Sequence, residues 1–297
     1  MADAMAFRIE PVHFFSAGEL LSGELYAPES GQPAPGVVMV HGMNGIRWES
    51  TTTVVEWLAS RGFTVLTFDW RGCSVPLDEP RDVIPFDIVE DLYSAVTFMR
   101  SRPEVLDARI SLVGQTFGGG VAVAAAALDQ RVRCVVTING FSDGERWIRA
   151  RYHEPEWTEL LEEIAEDERG RTLEGASGRG IPNLRVVMPY GWKEREASGV
   201  VGSMRVLISL RSLRSLFAFK PEALAPLVAP RALVIIHAQD GQLVPTAEAD
   251  AIYDRAGEGK IRKLIATEGG LDLYGPFNPD PFAAAMTECV SQLQAHG

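Results

Sequence analysis

A threonine stands among glycines in Gly114-Gln115-Thr116-Phe117-Gly118-Gly119-Gly120, directly after the apolar run at residues 110–113 and before a small-residue helix at 121–128. The glycines permit a tight strand-to-helix turn without Cβ clashes. A hydroxyl on such a turn can attack a carbonyl or donate a hydrogen bond. Attack needs a base beside it, because an alcohol at its own pKa is a weak nucleophile. Three other segments carry groups suited to proton transfer: His41-Gly42-Met43-Asn44-Gly45, the stretch 237–245 containing Asp240, and the stretch 268–274 containing Asp272. Beyond Asp240 the one histidine is His296, next to the last residue, where fraying is expected.

Holding these groups in place falls to strands that alternate with helices. Residues 36–40, 64–68, 109–113, 134–138, 231–237 and 263–266 are short apolar runs of the kind buried on both faces of a parallel sheet. Residues 13–26 are expected to form a hairpin turning at Ala17-Gly18. Helices are expected over 51–61, 87–102, 121–128 and 246–256 and from Pro281 onward, with Ile88, Leu92, Ala95, Val96 and Met99 marking the buried face of the second. The rhythm breaks over residues 141–226, which hold a charged helical stretch (154–168), a glycine-rich interval (170–180) and an Arg/Leu-rich helix (203–217). This segment is expected to be a helical cap over the sheet's C-terminal edge, on a core made of residues 1–140 and 227–297. Trp147, His153, Trp157, Tyr190 and Trp192 are its candidate pocket residues.

In its strand–turn–helix setting, Gly-Gln-Thr-Phe-Gly resembles the nucleophile elbow G-x-S-x-G of the α/β hydrolases, with threonine for serine. The HGMNG run after the first buried strand, FDWRG after the second and HAQDGQLVP after a late one fall in that family's order, closest to its dienelactone-hydrolase-like and small-esterase branches. The resemblance implies an α/β-hydrolase fold: a mostly parallel twisted sheet, helices on both faces and a helical cap. It also implies Thr116 at the nucleophile position, Asp240 at the triad acid, and the backbone N–H groups of Met43 and Phe117 as oxyanion hole. The family's histidine usually lies in Gly-x-x-His-x-Asp-x-Tyr. Here the segment is Glu268-Gly269-Gly270-Leu271-Asp272-Leu273-Tyr274, with Gly270 at that position.

Two triad positions are therefore replaced. Loss of a triad member costs roughly 10⁴- to 10⁶-fold in rate, and a β-branched residue fits poorly in a strained elbow. The sequence accordingly points to a lyase that eliminates a carboxylate, such as acetate, β to a carbonyl of a natural-product-like substrate. An oxyanion hole suits the enolate that forms when the α-proton leaves. Elimination of acetate from acylated tetronates in bacterial polyketide pathways is a precedent on this fold. Thr116 would donate a hydrogen bond, and His41, Asp240 and Asp272 are candidate bases. Tyr274, Trp147 and His153 would meet the substrate. Two alternatives stand beside this: a ligand-binding protein that has lost catalysis, and an esterase in which His153 or His41 serves Thr116.

Composition narrows the partners. A formal charge of −12 argues against nucleic acid, and no run of about 20 apolar residues is present to span a bilayer. Cys73, Cys134 and Cys289 are far apart and form no CxxC pair, so neither a disulfide nor a zinc site is expected and the cytoplasm is the expected compartment. Metal and nucleotide cofactors are not expected, a small molecule is the expected partner, and homodimerisation is left open. Asp69 and Arg71 are expected to pair, Cys73 to lack a base, and Glu145 and Arg146 to approach the pocket mouth.

Overall fold

The computed structural model describes residues 5–43, 51–76, 78–190, 193, 197, 206–267 and 279–296. It opens on the expected hairpin, longer than the alternation suggested: β1 (Phe7–Ser16) and β2 (Glu19–Pro28) turn at Ala17 and Gly18, both at positive φ. There follow β3 (Ala34–Val40), α1 (Thr52–Ala59), β4 (Thr64–Asp69), the two-residue β5 (Pro80–Arg81), α2 (Pro85–Arg100) and β6 (Val105–Gln115). After α3 (Phe117–Leu128) and β7 (Val132–Ile138) the chain enters residues 141–226. It resumes with β10 (Ala232–Ala238), α9 (Thr246–Arg255), β11 (Lys260–Ile265) and α10 (Pro279–His296).

Eight strands form one sheet in the order β1-β2-β4-β3-β6-β7-β10-β11. The pairs β1–β2 and β2–β4 are antiparallel, and the rest of the sheet is parallel. Each central strand serves two cores, because successive side chains point to opposite faces. In β3, Val38 and Val40 join a core with α2, α3 and α9, while Val37 and Met39 join one with α1 and α10. Helix α3 is made of glycine, alanine and valine apart from its two end residues, and all but Leu128 are buried. Its thin side chains let it lie close against the sheet. No described helix is long and apolar enough to cross a membrane.

Residues 141–226 contain α4 (Gly144–Arg149), α5 (Glu154–Glu174), β8 (Gly180–Pro182), α6 (Asn183–Val187), β9 (Leu207–Ser209), α7 (Leu210–Ala218) and α8 (Pro221–Leu224). The charged helix runs past its expected end to Gly175, whose left-handed φ of 63° closes it. The segment is not purely helical: β8 and β9 build a small sheet with β5, in the order β5-β9-β8. Three-residue strands leave no periodicity to read. Ser209 and Ser212 lock this sheet to the loop after β5, the first donating to Asp82 and the second accepting from the Val83 N–H.

Candidate active site

The parallel strands all end on one edge, which therefore carries Asp69 and Trp70 after β4, His41 and Met43 after β3, Thr116 and Phe117 after β6, Asn139 after β7, and Asp240 after β10. From β3 the chain first builds outward to β4 and then returns to the other side as β6. The two loops flanking that reversal stand at the topological switch point, the place where open α/β sheets bind ligands. They carry Met43 and Thr116.

Thr116 caps α3 at φ 52°, ψ −110°. This is a conformation that glycine tolerates and a β-branched residue does not, so the sharp elbow is kept with threonine in it. Its N–H donates to the Ile138 carbonyl at 2.9 Å and its carbonyl accepts from the Gly119 N–H at 3.1 Å. A Cβ on Gly118 would lie 2.3 Å from the Val40 oxygen and 2.5 Å from that of His41. The first turn of α3 thus presses on the backbone of the loop that holds Met43. Phe117 is fully buried, stacked on Phe141 with ring centres 5.9 Å apart, which anchors its N–H at the start of the helix, where backbone donors favour negative charge.

The five histidines are accounted for as follows. His13, His153 and His296 are exposed. His153 caps α5 at the surface, its ring 4.4 Å from that of Tyr190. His237 is buried with Nε2 2.9 Å from the Val244 carbonyl, and burial keeps its pKa below the ordinary value. His41 is also buried, stacked on Trp70 at 3.5 Å, with Nδ1 3.0 Å from the Gly42 carbonyl and Nε2 3.9 Å from Asp69. Asp240 is exposed at the edge and accepts a hydrogen bond from the Thr267 hydroxyl. Trp147 lies in the core, its indole N–H donating to the Leu243 carbonyl at 3.0 Å, and Trp157 is buried beside Tyr152. Gly270, Asp272, Tyr274 and Trp192 lie outside the described residues.

Three sequence expectations change here. Arg71 does not pair with Asp69; its Nη2 lies 2.6 Å from fully buried Asp91 on α2, and its own N–H donates to the same carboxylate. Asp69 instead faces His41, and Cys73 joins them: one donor atom from each of His41, Asp69 and Cys73 lies within 4.8 Å of the others. The thiol has an imidazole near it after all, and a cluster able to hold a metal exists where none was expected. Burial first, and then the charge of Asp69, pushes the Cys73 pKa well up, against the opposing influence of Arg81. Arg81 is almost completely buried and donates to the Val75 carbonyl at 3.1 Å.

Arg146 sits in a second network. It donates to Glu248, Glu222 and the Ser142 hydroxyl, while Glu248 also accepts from the N–H groups of Ser142 and Asp143. This ties α4 to α8 and α9. A polar cleft of about 850 Å³ lies between the loop after β4 and the small sheet, lined by Arg71, Ser74, Asp82, Asp87, Arg171 and Arg211 among others. Each of its arginines is already ion-paired, and Thr116 is not part of its wall.

The profile of the alpha/beta hydrolase family matches residues 37–285. A polyketide transferase of Aspergillus fumigatus is 27% identical over 266 residues, covering 86% of this chain and 88% of that protein. Among solved structures, the alpha/beta hydrolase GrgF from Penicillium superposes with a TM-score of 0.79 at 23% identity, over 97% of this chain and 99% of that one. DcsB, solved in complex with its substrate analogue, gives 0.79 at 20% identity, over 98% and 100%. At these identities the two structures speak for the fold.

Proposed function

Since the chain belongs to the α/β hydrolase family, we propose that it is an enzyme of natural-product metabolism that eliminates a carboxylate β to a carbonyl in a polyketide-type small molecule. The name of its Aspergillus relative supports the substrate class. Supporting the chemistry is one observation: the elbow keeps its full bend with threonine in place, while His41 Nδ1 lies against the Gly42 carbonyl with Nε2 3.9 Å from Asp69, and His237 Nε2 lies against the Val244 carbonyl. In this reading Thr116 donates a hydrogen bond rather than attacking.

In this reading Asp240 takes the proton α to the carbonyl. The electron pair moves onto the carbonyl oxygen, which receives hydrogen bonds from the N–H groups of Met43 and Phe117. Collapse of the enolate forms the alkene and expels the β-carboxylate, whose leaving oxygen the Thr116 hydroxyl accompanies. Removing one such donor costs about 10²–10³ in kcat.

A second reading, acyl transfer through Thr116, draws support from the positive φ itself, because strain of this kind collects at reacting residues. Turnover of β-acyloxy carbonyl compounds in ¹⁸O-labelled water separates the two. Elimination releases unlabelled acid together with an alkene. Labelled acid that disappears in Thr116→Ala would establish acyl transfer and overturn elimination.

A further inference from the structure

Three groups of the sheet edge that the proposed reaction does not use converge on one point. One ring nitrogen of His41, an Asp69 carboxylate oxygen and Cys73 Sγ all lie within 4.8 Å of one another, and His41 Nε2 is 3.9 Å from Asp69. We propose that they form a binding site for a zinc ion, with the fourth coordination position left to water or a ligand. A tetrahedral zinc ion with ligands at about 2.0–2.3 Å holds its donors roughly 3.5 Å apart, so the cluster must draw in by about 1 Å. Cys73, partly exposed on the loop after β4, can supply most of that movement.

The orientation of the imidazole separates this from a Cys–His–Asp relay. A relay needs the ring between its partners, one nitrogen to the thiol and the other to the carboxylate. Here Nδ1 is 3.0 Å from the Gly42 carbonyl, so that nitrogen carries the proton and donates it to the backbone. Nε2, with its lone pair, lies 3.9 Å from Asp69, the second member of the cluster. A histidine that bonds the backbone through one nitrogen and offers the other to an ion is the usual arrangement at metal sites. Stacking on Trp70 at 3.5 Å fixes the ring in that pose.

The donor set of one nitrogen, one oxygen and one sulfur suits zinc better than magnesium or calcium, which take oxygen. On binding, the thiol gives its proton to solvent and the sulfur–zinc bond forms, with no change of oxidation state. Thiolate and carboxylate together balance the divalent charge. Buried Arg81 acts electrostatically on both Cys73 and Asp69.

The inference does not rest on the elimination reading, and its test does not use activity. Purified full-length protein is titrated with Co²⁺, followed by competition with Zn²⁺. Wild type is expected to bind one cobalt with a near-ultraviolet thiolate-to-cobalt band that zinc abolishes. Cys73→Ser removes the band, and Asp69→Asn weakens binding by more than the roughly 10- to 100-fold that loss of an outer-sphere contact costs. Far-ultraviolet circular dichroism checks that each variant is folded, with Cys73→Ala as second variant at the same position. No band in wild type, or a band that survives in either folded Cys73 variant, overturns the proposal.

Discussion

Thr116→Gly should make the protein more stable while it destroys the chemistry. At φ 52°, ψ −110°, a β-branched residue stores about 1–3 kcal/mol of backbone strain. Glycine adopts this conformation freely and loses about 0.5–1 kcal/mol of additional chain entropy on folding. The difference is a gain centred near 1 kcal/mol. For a chain of 297 residues the unfolding entropy is about 0.6 kcal/mol per kelvin, so the melting temperature should rise by roughly 2 °C. The urea midpoint, with an unchanged slope, is the more sensitive readout. Thr116→Ser keeps the hydroxyl and removes the branch; its stability should fall between the two and its elimination rate should stay within a few-fold of wild type. In Thr116→Gly that rate should drop about 10²–10³-fold. A loss of about 1 kcal/mol or more in Thr116→Gly would refute the reasoning, because the side chain would then be stabilising the elbow rather than straining it.

Other outcomes follow from the packing and charges. Gly118→Ala drives a Cβ to 2.3 Å from the Val40 oxygen, a backbone atom that cannot yield, and should cost about 3 kcal/mol in the urea midpoint. The same change at Gly175, where nothing lies within 4 Å but φ is +63°, should cost only about 1 kcal/mol. Glu248→Gln removes the charge that Arg146 and three further donors from Ser142 and Asp143 share; at a buried site this should destabilise by about 2–4 kcal/mol. Burial pushes the Asp143 pKa up, but hydrogen bonds from Lys220 and from the Arg146 N–H outweigh it and hold the carboxyl below its ordinary value. A depressed pKa contributes stability that is present above the unfolded value of about 4 and lost as pH falls through the folded one. The stability gap between wild type and Lys220→Met should therefore be flat from pH 7 to about 5 and close at lower pH, as followed by urea titration.

Much of the fold was legible because buried parallel strands leave contiguous apolar runs. β3, β4, β7 and β10 begin and end within two residues of the apolar runs that announced them. The elbow was legible for a different reason, since its glycines are demanded by close backbone approach and cannot be exchanged. The small sheet was not, as β5 has two residues and β8 and β9 three each. The partners of charged groups were the least accessible. Asp69 lies two residues from Arg71, yet β4 ends between them and turns Arg71 toward Asp91, 20 residues on. The cluster of His41, Asp69 and Cys73 spans two strand ends, so no ligand spacing marks it in the sequence; adjacency of β3 and β4 in the sheet is the signal that could have found it. Glu248 was missed for the same reason, being 102 residues from Arg146.

The β5–β9 pairing is also a mechanical linkage. It joins residues 80–81 to 207–208, and the bonds from Ser209 and Ser212 to Asp82 and Val83 double the stitch. Residues 206–218 consequently cannot be lifted off the sheet edge alone. Any such displacement pulls on Arg81, and through the short loop before it on Cys73. The segment 206–218 and the loop after β4 are thus one mechanical unit, and a displacement of either is carried to the other.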